Sequence, residues 1–172
     1  RLRTWSGLTA ARLESAAVSL PAGAARDRGG IGKGVAADVV AEDLIADGAL
    51  GALVNIGGDL VVLGEPGEGQ TWYLGIEDPA DPPHHLAYLS VGSGGLATSG
   101  TTIRNWTSPA GEPAHHLIDP TTSKPSRSGL STVTVIAGDA ATAEVFATAA
   151  LMLDGPKAMG RLERNGLAGL AV

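Results

Sequence analysis

Asp27-Arg28-Gly29-Gly30-Ile31-Gly32-Lys33-Gly34 places four glycines, one lysine and one acid in eight residues, and an apolar-periodic segment, Val35 to Asp47, follows at once. Glycine lets the backbone approach a ligand closely and take positive φ without a Cβ clash. A helix that starts just after such a loop turns its unpaired N–H groups toward an anion. Lys33 adds a compact positive charge at that opening. The stretch reads as an anion-binding loop at a helix N-terminus, and the bland alternative is a glycine-rich turn with a surface lysine. Two better-known phosphate loops are excluded, because Lys33 is not followed by Ser or Thr and the glycines do not fall as G-x-G-x-x-G.

The rest of the chain reads as an α+β domain, mostly antiparallel sheet with a few packed helices. Residues 34–47 predict a helix with Ala36, Val39, Val40 and Leu44 on its apolar face. Gly48 is its stop. Strands are predicted over 52–56 and 60–63, joined by Gly57-Gly58-Asp59 as a hairpin. Further strands are predicted over 72–77, 85–91 and 114–118. Leu96 to Gly100 is expected to end in a turn after the glycines of 92–95. Val18-Ser19-Leu20 is a short strand closed by Pro21 and Gly23. Ser131 to Ala137 alternates β-branched residues and is a strand. Asp139 reads as the N-cap of a helix from Ala140 to Leu153. A helix over 157–165 and a strand over 167–171 finish the chain, while 101–113 and 121–129 read as loops.

With 172 residues, the chain is expected to form one domain. Only 3% of residues are aromatic against 44% hydrophobic, so the core must be built from Ala, Val, Leu and Ile. A net charge of −6 without a run of Lys or Arg argues against a nucleic-acid partner. No cysteine is present, which excludes disulfides, thiolate metal sites and a cysteine nucleophile. No apolar run is long enough for a membrane-spanning helix, and no signal peptide is visible. The start at Arg1 without Met leads to the expectation that an N-terminal part has been removed.

Polar clusters fall at the ends of the predicted elements, where sites are usually built. Asn55-Ile56-Gly57-Gly58-Asp59 sets two glycines beside a carboxylate, and Thr98-Ser99-Gly100 offers two hydroxyls; each also reads as a plain turn. His115 and His116 are neighbours on a predicted strand, so only one imidazole can face a given cleft. A histidine near Asp119 is suited to act as a base near neutral pH. Glu144 and Thr148, four apart, share a helix face among Ala, Val and Phe. A carboxylate on such a face needs a partner, and hard cations take oxygen ligands of this kind. The alternative is a solvated glutamate and a threonine bonded to its own helix.

Taken together, these stretches resemble the ApbE family of FAD:protein FMN transferases. That family carries, in order, a D-L-G-G-I-A-K-G-x-x-x-D loop, an N-x-G-G-D turn and a T-S-G turn. An H-H-I-I-D-P-x-T-G-x-P segment and an A-D-x-x-A-T-A helix follow. Here the matching stretches are Asp27 to Gly34 with Asp38, Asn55 to Asp59, Thr98 to Gly100, His115 to Pro120, and Ala143 to Ala149. The resemblance implies an ApbE-like, T-fold-related α+β fold and a Mg2+-dependent transfer of FMN from FAD to a threonine or serine hydroxyl of a target flavoprotein, releasing AMP. Some relatives hydrolyse FAD to FMN and AMP instead. It further implies that Gly29, Gly30, Lys33 and Asp38 meet FAD, that Asn55, Gly57, Gly58, Asp59, Thr98 and Ser99 line the same cleft, and that His116, with Asp119, supplies the base. By the same token Glu144, Thr148 and the carbonyl of Gly32 hold the metal. Members are often exported to the periplasm or cell envelope, and cytoplasmic forms occur.

Arg28 stands where the family has leucine, and Gly32 where it has alanine. Thr121 and Ser123 stand where Arg and Gly often occur. Glu144 stands where the family has the metal-binding Asp, one methylene shorter. Members also carry a substantial N-terminal part that helps hold the adenine side of FAD, and most of it is expected to be missing here. Three functions therefore compete: flavin transfer, FAD pyrophosphate hydrolysis with water as acceptor, and FAD binding without turnover.

Overall fold

The computed structural model describes residues 11–22 and 27–172. Their elements are β1 (Arg12–Glu14), β2 (Ala17–Ser19), α1 (Gly32–Ala46), β3 (Gly51–Ile56), β4 (Asp59–Gly64), β5 (Trp72–Glu77), β6 (His85–Val91) and β7 (Gly94–Gly100), then β8 (Asn105–Thr107), β9 (Pro113–His115), β10 (Ile118–Asp119), β11 (Lys124–Pro125), β12 (Thr132–Ala137), α2 (Ala140–Leu151), α3 (Gly155–Arg164) and β13 (Ala168–Ala171). Gly23, the expected stop after the first strand, lies outside the described residues.

Five strands form one antiparallel sheet in the order β13-β12-β7-β4-β3. Period-two alternation gives each strand one residue set for each face. On one face Ala52, Val61, Ala97, Val133 and Val135 meet α1 and α2. On the other, Val62 and Leu96 meet Leu74 and Ile76 of the β5–β6 ribbon. The Trp72 indole ties that ribbon to β4 by donating to the Gly64 carbonyl at 2.9 Å. The mixed α+β, antiparallel architecture expected from the sequence is the one found.

Three local expectations need correction. The buried side of α1 is Gly34, Ala37 and Ala41, while Val39, Val40 and Leu44 are 44–50% exposed. Small residues win the inner face because α1 lies at backbone contact with α2: a Cβ on Gly34 would sit 2.5 Å from the Ala140 carbonyl oxygen. Next, β7 begins at Gly94 and is the central strand, not a turn-ending fragment. Its glycines make room for α2, since a Cβ on Gly95 would come within 2.2 Å of the Asp139 carbonyl carbon. Finally, the expected strand over 114–118 breaks at His116 and Leu117, and two-stranded ribbons (β8–β9 and β10–β11) occupy segments read as loops.

Candidate flavin-binding site

The glycine loop enters α1 earlier than expected. The helix begins at Gly32, Ile31 occupies its N-cap, and no side chain of the cap serves it. The Gly32 amide donates to the Arg28 carbonyl at 2.8 Å. The Gly34 amide instead donates at 2.8 Å to Oε2 of Glu144, which reaches it from α2. The anion at the start of α1 is thus one of the protein's own carboxylates. Charge and exposed amides favour each other there.

Lys33 stands beside it. Its ammonium is hydrogen-bonded to Oδ2 of Asp59 and lies 3.0 Å from Oε1 of Glu144. Asp59 reaches this point because it opens β4 on the same strand face as Val61, which packs under α1. The predicted hairpin is present, but its turn is the two residues Gly57-Gly58, both at positive φ, and Asp59 already belongs to the strand. The Lys33 stem runs beneath the turn, 3.7 Å from where a Cβ on Gly57 would lie. Both carboxylates are 2% exposed or less, the lysine 39%. Burial is the largest influence on Asp59 and pushes its carboxyl up, outweighing the lysine that pulls it down. Burial alone would lower Lys33, but its bonds to Asp59 and then Glu144 prevail and raise it. The expectation that Glu144 needs a partner is met by Lys33 and Gly34 rather than by solvent.

One turn further along α2, Thr148 shares a 2.9 Å hydrogen bond with Ser99 of β7. Gly30 faces the same threonine: a Cβ on it would lie 3.9 Å from the Thr148 methyl group. Lys33, Gly34, Asp59, Glu144, Ser99, Thr148 and Gly30 are therefore brought to one side of the sheet. Glu144 Oε1 is buried and has no hydrogen bond of acceptable geometry, only the ammonium contact. That carboxylate oxygen, held only by the ammonium, and the Thr148 hydroxyl, held by Ser99, are hard oxygen donors of the kind Mg2+ takes. Among the described residues no group of three or more His, Cys, Asp and Glu side chains could cage a metal. A cation here would draw further ligands from substrate or water.

Several expected site residues have partners within the protein. Asp38 gives both carboxylate oxygens to amides of α2, at 2.8 and 2.9 Å, and has none directed at a ligand. Thr98 lies on the ribbon face of β7, bonded to Thr134 at 2.8 Å, because neighbours in a strand point oppositely; Ser99 takes the helix face. Asn55 likewise falls on the other face of β3 from Ala52 and Ile56, and its Oδ1 holds the turn by accepting the Gly58 amide at 2.9 Å. Gly29 donates to Asp27 at 2.8 Å, closing the loop on itself. Asp119 accepts from the amide and hydroxyl of Thr121, at 2.8 and 2.7 Å, and these bonds, the hydroxyl's first, hold its carboxyl below the usual range. No hydrogen bond joins Asp119 to either histidine among the described residues. It lines a cavity of about 310 Å³ with Ser126, Arg127 and Lys157, a space that Lys33, Asp59 and Glu144 do not border.

The two histidines separate as expected. His115 is half-buried; its Nε2 pairs with the Ser126 carbonyl at 3.0 Å, and Nδ1 accepts the Leu117 amide at 3.3 Å. Both ring nitrogens are engaged, which requires the Nε2–H tautomer. His116 is exposed, and among the described residues only Nδ1 of its two ring nitrogens has a partner, the Arg104 carbonyl at 3.4 Å. Arg104 sits on the loop that leaves β7 just beyond Ser99, so His116 hangs from the strand that carries one wall of the site. Close by, Ser123 is the one described non-glycine residue at positive φ, +56°. That conformation costs an L side chain roughly 1–2 kcal/mol.

An antiparallel sheet backed by helices, with an ammonium held between two buried carboxylates at a glycine-loop helix start, defines an α+β protein whose polar cluster lies where sheet and helices meet. The model of the ApbE family matches residues 2–171, and the chain belongs to that family. It is 36% identical over 139 residues to the FAD:protein FMN transferase of Escherichia coli K12, covering 80% of this chain and 39% of that one. The corresponding protein of Haemophilus influenzae is 33% identical over 83% of this chain and 41% of its own length. The solved structure of the ApbE protein from Thermotoga maritima superposes with a TM-score of 0.85 at 30% identity, over 97% of this chain and 55% of that one. The chain thus spans about two fifths of the length of the curated relatives it matches.

Proposed function

We propose that this chain carries the flavin-transfer site of an FAD:protein FMN transferase, which moves FMN from FAD to a threonine or serine hydroxyl of a target flavoprotein and releases AMP with the help of Mg2+. The observation that supports this best is the Lys33 ammonium between Asp59 and Glu144 at the opening of α1, in a chain whose relatives bear that name. The chain is read as one flavin-transferase unit. With both carboxylates ionised, one ammonium leaves this cluster net negative. A pyrophosphate placed beside it adds more negative charge, and a further cation is then required.

Glu144 Oε1, Thr148 and the Gly32 carbonyl would hold Mg2+, which supplies positive charge against the pyrophosphate. Lys33 meets the phosphate oxygens, while the loop backbone at Gly29 and Gly30 and the turn at Gly57 and Gly58 leave room for FAD. The acceptor oxygen attacks the flavin-side phosphorus. The bond from that phosphorus to the bridging oxygen breaks, and AMP leaves. The hydroxyl proton passes to Nε2 of His116, the ring nitrogen not bonded to the Arg104 carbonyl.

A second reading, binding without turnover, is favoured by the engagement of both Glu144 oxygens within the protein. Incubation with FAD, Mg2+ and a total protein extract separates the cases. AMP with covalently flavinylated protein supports transfer. AMP with free FMN assigns water as the acceptor. Unchanged FAD with retained affinity overturns the catalytic reading.

A further inference from the structure

Helix α2 has two carboxylates at its N-terminus, and they take different amides. Asp139, its own cap, accepts the Thr142 amide at 2.6 Å and the Thr142 hydroxyl at 2.9 Å. Asp38 arrives from α1 and takes the amides of Ala140 and Ala141. These amides have no acceptor within their own helix. Further along, the direction reverses: Glu144 of α2 accepts the Gly34 amide of α1. Each helix therefore gives a carboxylate to amides of the other, on either side of the point where Gly34 lies against Ala140 and Ala141. With backbone in close contact there, the two ties hold α1 and α2 in this register.

We propose that Asp38 is a positioning residue: it sets the register that places Glu144 and Thr148 against Lys33 and Gly32, and it does so without touching FAD. The catalytic part of this proposal rests on the flavin-transfer reading; the geometric part does not. Asp139 supplies the control, because it caps the same helix turn with no tie to α1.

The experiment compares Asp38→Ala and Asp139→Ala, with Asp38→Asn, which keeps one acceptor, in reserve should the alanine variant not fold. Thermal denaturation is expected to show similar losses for both alanine variants. Steady-state AMP release is expected to lose tenfold or more in kcat for Asp38→Ala, with the FAD dissociation constant changed less than threefold, and to change less than threefold for Asp139→Ala. Equal kcat losses in the two variants would reduce Asp38 to an ordinary cap and overturn the proposal. Loss of FAD affinity with turnover at saturation intact would make Asp38 a ligand contact and overturn it equally.

If the native chain releases no AMP, the flavin-transfer reading fails, and a double-mutant cycle still decides the register. Asp38→Ala and Glu144→Ala should then be non-additive in melting temperature, whereas Asp139→Ala and Glu144→Ala should add. Additivity of both pairs overturns the cross-tie.

Discussion

Lys33 shares its single charge between Asp59 and Glu144, two carboxylates that water scarcely reaches. Removing one partner of a buried ion pair costs roughly 3–5 kcal/mol, because the other charge stays behind unpaired. Lys33 is itself 39% exposed, so screening brings the expectation for Lys33→Met to about 2 kcal/mol at neutral pH. The sign with pH follows from the shifts. A raised lysine contributes fully below its ordinary value, and that contribution is lost as pH rises through its folded one. A raised Asp59 favours the fold when protonated and costs stability as pH rises through its folded value. Lys33→Met is therefore expected to fall furthest behind the native chain at neutral pH and to close the gap in acid, read by urea denaturation across pH. A constant gap would show that Asp59 stays ionised throughout. Glu144→Asp shortens the carboxylate by one methylene and should withdraw it from the Gly34 amide or from Lys33. The expected outcome is a lower melting temperature together with tighter Mg2+ binding by calorimetry; unchanged metal affinity would assign Glu144 to Lys33 alone. The histidine pair gives opposite expectations. His115→Ala should cost about 1–2 kcal/mol through its two lost backbone bonds. His116→Ala should melt like the native chain and lose roughly 10²–10⁴-fold in transfer, and the reverse pattern in melting and AMP-release assays would exchange their roles.

At the scale of elements, α1 shows what a hydrophobicity pattern reports and what it misses. Its existence was legible from the run Val35 to Asp47, and its contacts were not. The larger apolar residues marked Ala36, Val39, Val40 and Leu44 as the inner face, yet close backbone approach selects for smallness, and Gly34, Ala37 and Ala41 pack inside. The same cause hid the start of β7, whose Gly94 and Gly95 read as a turn until Ala137 and Asp139 are seen against them. Gly34→Ala is accordingly expected to destabilise by more than the 1–3 kcal/mol typical of overpacking, since its Cβ would meet backbone that cannot swing aside. Proteolysis or denaturant melting checks this, and native-like stability would mean that α1 and α2 can part. Local structure was legible where the side chain and its neighbour in sequence suffice, as with Lys33 at the opening of α1 and the glycine hairpin before Asp59. It was not legible where strand parity decides, as with Thr98 and Asn55, or where the partner is remote, as with Asp38.

Over the whole molecule, helices and the β5–β6 ribbon cover the two faces of the sheet, and the outer side of α1 stays open. Ile31, Val35, Val39, Val40 and Leu44 are all 41–50% exposed, beside the exposed Glu42 and Asp43. Val39→Lys and Leu44→Lys should each change stability of this chain by no more than about 0.5 kcal/mol, whereas Ala41→Lys, at a fully buried position, should unfold it. Urea titration decides, and a large loss at Val39 or Leu44 would mean that this side is covered in solution. The ties between α1 and α2 also have a bearing on how the protein comes into being. Glu144 meets Gly34 across 110 positions, and Asp38 meets Ala140 across 102. Contacts that distant form late, after the loop-closure entropy has been met. A nascent chain displays its glycine loop and lysine long before the second wall emerges from the ribosome. Until Thr148 has been made and packed, the loop and lysine have no partner wall, and the chemistry that depends on both begins only in the finished fold.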